Sequence, residues 1–358
     1  MRTAFRTCPF CEATCGLEVT LDGPEVVQVR GDAEDVFSRG FLCAKGVGLK
    51  ALHEDPDRVR TPLVKDASGG FREASWDEAF AVIADRLPTI RERHGADAVA
   101  MYLGNPAAHS LSGMLYGRVL AKALGTKNIF SASTVDQFPK QMASAYMFGG
   151  GSVVPVPDLD RTQHLLMLGA NPLASNGSLM TAPDARGRIQ AIRDRGGKVV
   201  VVDPRRTRTA KVADEHVPIR PGADALLLMA LVHVVFAESL DTVPEGMAGA
   251  DVVEGMARDF TPEAVAAATG IEAGTIRRMA IELAAAESAA VYGRIGTTTQ
   301  RFGTTASWLV DVLNAVTGNL DRPGGAMFPL PAHAARGDGS GRGARFGRHA
   351  SRVRGAPE

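Results

Sequence analysis

Four cysteines constrain this chain more than any other feature. Three lie together in "CPFCEATCG", as Cys8, Cys11 and Cys15, and the fourth, Cys43, stands alone in "GFLCAKG". A structural zinc site usually takes two tight pairs, each forming one knuckle of a tetrahedron. Here three thiolates share one loop and can hold three corners of a cubane, while a distant thiolate closes the fourth iron. The spacing therefore predicts a 4Fe-4S cluster on Cys8, Cys11, Cys15 and Cys43, with zinc as the alternative. Gly16, Gly40 and Gly46 flank these ligands and are expected to let backbone amides approach the sulfides. Lys45, two residues past the last ligand, reads as a solvated lysine or as a fixed ammonium that stabilises the reduced cluster and bridges to a second cofactor.

The 358-residue chain as a whole has the composition of an ordinary globular protein, 45% hydrophobic and 22% charged. Forty basic residues balance forty acidic ones, so no global field draws the chain onto nucleic acid or an anionic membrane. No apolar run approaches the roughly 18–20 residues that span a bilayer. The amino terminus "MRTAFRTCPFC" reaches a cysteine before an apolar signal region can form. A cytoplasmic location is the expectation, and there clustered thiols point to metal or catalysis more than to disulfides.

Along the chain, "SWDEAFAVIADRL" predicts a helix opened by a capping box of Ser75 and Glu78, with Phe80, Ile83, Ala84 and Leu87 on one apolar face. "ADAVAMYLGNP" and "HLLMLGANP" both read as buried strands that run into glycine turns, the ligand edge of an open α/β sheet. Two such turns suggest two nucleotide-type crevices. "DARGRIQAIRDRGG" then reads as a helix and "KVVVVDPRRTRTA" as a parallel strand, giving a right-handed βαβ crossover. Asp203, just past that strand, can receive ribose hydroxyls, and Arg205 and Arg206 are placed for phosphates. Asp224, where a strongly apolar helix begins after the turn at Gly222, either favours the helix dipole or binds a purine edge. "AAVYGRIGTTTQRFG" is another strand into a glycine turn, around Gly296. His109, after "GNPAAH", reads as structural more readily than catalytic. The tail from Ala332 holds six arginines against two acids and cannot build a core.

The ordered set "CPFCEATCG", "GFLCAKG", "SWDEAF", "YLGNPAAHS", "LGANPLASNGS", "VVDPRRTRTAKVADEHVPIRPGADALLLMAL" and "LNAVTGNLDRPGG" resembles the molybdopterin-dependent oxidoreductases of the dimethyl sulfoxide reductase superfamily, especially their formate dehydrogenase and nitrate reductase branches. The resemblance implies a 4Fe-4S cluster, a bis-molybdopterin guanine dinucleotide with molybdenum or tungsten, and Lys45 as the electron relay between cluster and pterin. It implies nucleotide contacts from Gly169, Ala170, Asn171, Asp203, Arg205, Gly222, Asp224 and Gly296. The family's metal takes a side-chain ligand from the segment matching "SASTVDQFPKQMASAYMFGG"; Gln141 stands where a cysteine would, and Asp136 is the substitute oxygen donor, with a surface or helix-capping carboxylate as its plainer reading. Relatives that resemble the chain continue well past its last residue.

The fold expected is α/β, with a small amino-terminal 4Fe-4S domain at 1–60 and interleaved α/β domains. The first of these comprises 61–130 and 288–331, a doubly wound dinucleotide-binding domain is inserted at 131–287, and a Gly/Arg-rich tail or connector occupies 332–358. The function expected is two-electron redox of a small substrate, formate first and nitrate second, with electrons passed through the cluster to a flavin or iron-sulfur partner. The rivals are a non-catalytic iron-sulfur electron-transfer or scaffold chain, and a zinc-stabilised α/β binding protein.

Overall fold

The computed structural model describes residues 1–329; the tail expected at 332–358 lies outside the described residues. The chain forms two compact units, Met1–Thr134 and the part from Val135 onward.

The first unit opens with an antiparallel sheet of the strands Arg2–Thr7, Gly16–Asp22 and Glu25–Gly31, in that order. Thr7 pairs with Gly16, and the amide of Cys8 donates to the carbonyl of Cys15 at 2.8 Å. Residues 8–15 are thus a closed loop at the end of a hairpin, and the three clustered thiols sit on it. The small core beneath this sheet is built from Cys8, Ala13, Cys15 and Leu17, with Phe10, Cys11, Val29, Phe41 and Leu42 packed around them. Its apolar content includes two of the cysteines expected to act as ligands.

The rest of this unit forms as its sequence predicts but buries little. Helix Trp76–His94 starts where expected, Ser75 Oγ accepting the Glu78 amide at 3.1 Å. Only half of the capping box is made, because the Glu78 carboxylate pairs with Arg72 instead of returning to the cap. Phe80 and Ile83 remain 59% and 53% exposed, so the apolar periodicity specifies a helix whose face is left uncovered among the described residues. Among the described residues the strand Met101–Leu103 pairs in parallel with Ile129–Ser131 alone, and Tyr102 and Phe130 are exposed. This corrects the expectation of a buried strand at 99–103: a two-stranded parallel pair has no third strand to bury it.

The second unit is organised by a four-stranded, fully parallel sheet with strand order Glu215–Val217, Lys198–Val202, His164–Leu168, Ala289–Gly293. Parallel strands are buried on both faces and read as continuous apolar runs. Successive side chains accordingly divide between two cores. Leu166, Leu168, Val200, Val202 and Val291 pack on helices Asp224–Ala237, Ala273–Ala285 and Gly303–Val316, while Leu165, Met167, Val199, Val201 and Tyr292 pack on helix Ala185–Asp194. Each such fully buried side chain contributes about 1.5–3 kcal/mol. This is the doubly wound arrangement.

The domain boundary at 288 needs correction. Ala289–Gly293, expected to return to the first α/β domain, lies beside His164–Leu168 with Ala289 opposite His164. Its outer edge is closed by side chains. Asn314 accepts the Val291 amide and donates to the Val291 carbonyl, both at 2.9 Å, and Asn319 Oδ1 accepts the Ala289 amide at 3.0 Å. Buried backbone groups on an edge must be paired, and two asparagines do here what a fifth strand would do.

Candidate functional site: a thiol loop and a strand-end cavity

Cys43 caps the short helix Ala44–Val47, and its thiol acts electrostatically on Cys8 and Cys15, so all four cysteines lie within reach of one another. Burial pushes the Cys15 thiol up to about 11, and the charges of Cys8, Cys11 and Cys43 add to the effect. Burial likewise raises Cys8, opposed by the Lys45 ammonium. Burial and mutual repulsion thus keep these thiols protonated, and a cationic centre would offset both effects. Among the described residues, no three His, Cys, Asp or Glu side chains converge on a point that would hold a metal ion.

The flanking glycines act differently from expectation. The Gly16 amide is committed to Ser38 Oγ at 3.0 Å and the Gly40 amide to the Asp32 carbonyl at 2.8 Å, so neither is available to a sulfide. They are glycines for packing: a β-carbon on Gly16 would lie 2.5 Å from that of Asp35, and one on Gly46 would lie 2.1 Å from Leu42 Cδ1. Lys45 is exposed. Asn105, in the turn after the half-exposed strand, donates to the Phe10 carbonyl at 3.4 Å, tying that turn to the thiol loop. His109 Nε2 is buried without a hydrogen-bond partner.

In the second unit, the carboxyl ends of three neighbouring strands open into a cavity of about 260 Å³. Gly169, Ala170, Asn171, Asp203, Arg205 and Gly296 all line it, together with Arg294. Asn171 is held by the Thr209 hydroxyl, which donates to Oδ1 at 2.8 Å. Asp203 is nearly buried, and its Oδ1 accepts the Arg205 amide at 2.8 Å. Arg205 and Arg206 are exposed; Arg206 is not part of the cavity wall.

Gly222 and Asp224 stand beside the cavity and do not line it. Asp224 is buried, which raises its carboxyl above the ordinary range, and it accepts from Gln300 Nε2 at 2.8 Å. The same amide nitrogen donates to the carbonyls of Gly296 and Thr297 at 3.1 and 3.2 Å, so Gln300 fastens the glycine turn to the 224 helix.

The segment expected to supply a metal ligand is anchored by two ion pairs. Asp136, at the end of Ser133–Asp136, faces Arg294, and Lys140, on helix Phe138–Phe148, makes contacts of 2.5 and 2.6 Å with Asp311. The Lys140 and Asp311 side chains are 8% and 2% exposed. Asp136 is therefore neither an N-cap nor a free surface carboxylate, while Gln141 lies half-buried on the following helix.

Arg294, Gln300 and the Lys140–Asp311 pair are absent from the residues expected to form the site. An arginine directly after a buried β-branched and aromatic run, as in "VYGR", was the available signal, since such a side chain must find a partner at the strand end. Three buried polar atoms on this turn lack partners: Arg294 Nε, Thr297 Oγ1 and Gln300 Oε1. Native structures satisfy nearly all such atoms, and of the three only Arg294 lines the cavity, so its Nε is the donor that suits a polar ligand there.

The comparisons agree with this geometry. Residues 58–353 match the molybdopterin oxidoreductase family, and residues 2–52 match its Fe4S4 domain. Similar proteins include formate dehydrogenase H of Escherichia coli (28% identical, 92% of this chain and 46% of the relative) and a nitrate reductase of Symbiobacterium thermophilum (30%, 90% and 44%). The alpha subunit of F420-dependent formate dehydrogenase 2 from Methanococcus maripaludis is 28% identical over 90% of this chain and 47% of its own length. Acetylene hydratase from Pelobacter acetylenicus shares the fold, with a TM-score of 0.75 at 24% identity over 88% of this chain and 43% of that one. The chain belongs to the molybdopterin oxidoreductase family and carries its iron-sulfur domain. It spans less than half the length of these relatives. A 4Fe-4S cluster and a molybdopterin carrying molybdenum or tungsten are the cofactors this membership assigns, and the thiol set and the polar strand-end cavity suit them. No helix among the described residues is long and apolar enough to cross a membrane.

Proposed function

We propose that this chain is the cluster- and dinucleotide-binding part of an oxidoreductase that moves two electrons between a small substrate and a 4Fe-4S cluster. Formate is the first substrate and nitrate the second, following the names of similar proteins. The observation that carries the reading is a cavity at the carboxyl ends of three parallel strands whose wall includes Arg294, a buried guanidinium with an unpartnered Nε.

In this reading Cys8, Cys11, Cys15 and Cys43 hold the cluster, and Lys45 places a positive charge between it and the pterin. Gly169 and Gly296 let the backbone approach a guanine dinucleotide, Arg205 meets its phosphates, and Asp203 its ribose hydroxyls. Asp136 offers an oxygen to the metal, which supplies two-electron exchange with the substrate when bound. Asn171, Ala170 and Gly222 contribute further contacts to the nucleotide, while Asp224 braces the turn at Gly296 through Gln300. The cluster hands electrons on singly, so a flavin or iron-sulfur subunit receives them; one similar protein is itself named as an alpha subunit. A cytoplasmic setting keeps the four thiols reduced for assembly.

A second reading, an iron-sulfur electron-transfer or scaffold chain, is favoured by the exposed apolar faces of helices Trp76–His94 and Leu111–Leu124. Metal and nucleotide analysis of protein purified without air separates the two. Four irons with one molybdenum or tungsten and two guanines per chain support the oxidoreductase. Iron alone supports the scaffold.

A further inference from the structure

Arg294 belongs both to the strand-end cavity and to the anchoring of the segment that carries Asp136. Its side chain is only 6% exposed. Nη1 donates to the Asp136 carbonyl at 3.0 Å, and Nη2 stands 3.5 Å from Oδ2 of the same residue. A charge-assisted contact is normally about 2.7–2.9 Å, so the carboxylate holds this guanidinium loosely. Nε is buried and has no partner. A guanidinium carries five donors on one rigid plane, and a buried one with a stretched anion and an orphan donor is incompletely satisfied. The remaining source of acceptors is the cavity it lines, where exposed Arg205 adds a second positive charge.

We propose that Arg294 is a positioning residue that couples occupancy of the cavity to the placement of Asp136. A diphosphate in the cavity and the Asp136 carboxylate compete for one guanidinium, so binding of the first frees the second to turn toward the metal. The inference rests on the dinucleotide reading of the cavity. It assigns Arg294 a role distinct from that of Arg205, which is exposed and contacts the ligand alone. Loading is then ordered: the carboxylate becomes available once the nucleotide is seated.

The test is a cycle of GDP affinities, measured by calorimetry on the whole chain for the wild type, D136A, R294Q and the double variant. D136A is expected to bind GDP at least roughly threefold more tightly than the wild type, and R294Q about tenfold more weakly. Adding D136A to R294Q is expected to change the affinity by less than about twofold, because the competition has lost its object. An equal effect of D136A in both backgrounds, or none in either, overturns the coupling. If the wild type does not bind GDP, the dinucleotide reading fails and the coupling falls with it. Should R294Q not fold, R294K takes its place, with hydrogen exchange of residues 133–148 as the readout. GDP is expected to speed exchange there in the wild type and to leave R294K unchanged; an unchanged wild type overturns the proposal.

Discussion

The amide of Gly296 donates to the carbonyl of Gly169 at 3.0 Å, and neither residue has room for a β-carbon. A β-carbon on Gly169 would lie 2.8 Å from Gly296 Cα, and Gly169 has a φ of +58°. Gly169→Ala is therefore expected to cost about 2–4 kcal/mol, combining a left-handed backbone with a clash that the turn must absorb. Urea unfolding measures it. A loss below about 0.5 kcal/mol would mean that the two turns do not need this close approach.

Asn314 is expected to be among the least replaceable polar residues of the second unit. Asn314→Leu keeps similar bulk but leaves both the amide and the carbonyl of Val291 buried without partners. A destabilisation of about 2–4 kcal/mol follows. Asn314→Asp keeps the acceptor and loses the donor, and a thermal melt should place it between the two. Equal stability of all three proteins would show that this edge is solvated.

For the buried Lys140–Asp311 pair, breaking and replacing should have opposite outcomes. Lys140→Met or Asp311→Leu alone strands a buried charge and is expected to cost about 3–5 kcal/mol. The double variant, K140M with D311L, should recover most of that loss. If each single variant is as stable as the wild type, the pair does not anchor the 138–148 helix.

His164 gives the second unit an acid-sensitive step. Burial lowers its folded-state pKa to about 4, below the ordinary 6.5. Unfolded chain therefore takes up a proton that folded chain refuses. The stability it contributes is complete above pH 6.5 and is lost as pH falls toward 4, by about 3 kcal/mol. Denaturation series at intervals between pH 7 and pH 4 should show this slope in the wild type and a flatter one in His164→Gln. Parallel slopes would place the proton uptake elsewhere.

Replacing any one of Cys8, Cys11, Cys15 or Cys43 with serine should remove most of the iron and the broad visible absorption of a 4Fe-4S centre. Iron and zinc content, with labile sulfide, are the measurements. Serine variants that keep full iron would exclude that position as a ligand. Zinc in the wild type without sulfide would restore the zinc alternative.

The features legible in the sequence are those that act locally. Cysteine spacing marks the thiol loop, "HLLMLG" and "KVVVVD" mark two parallel strands, and Ser75 marks a helix start. Pairings across long separations were not legible. Arg294 meets Asp136 across 158 residues and Lys140 meets Asp311 across 171, distances over which no periodicity carries information. The same limit explains the misplaced strand Ala289–Gly293: its apolar run is compatible with either sheet, and only its neighbours decide. Gly16 shows a subtler case, since a glycine beside a ligand looks like access to sulfur when it is clearance for Asp35.

The core of the amino-terminal sheet has an unusual composition: two of its four buried members, Cys8 and Cys15, are proposed cluster ligands. Elsewhere in the chain, compactness and chemistry are separable, because leucines and valines would hold the parallel sheet together whether or not a nucleotide arrived. Here they are one event. The cluster would tie residue 43 back to residue 8, closing a loop whose entropy the few aliphatic contacts do little to offset. With these cysteines as the proposed ligands, iron supply becomes a folding variable for the amino-terminal sheet alone.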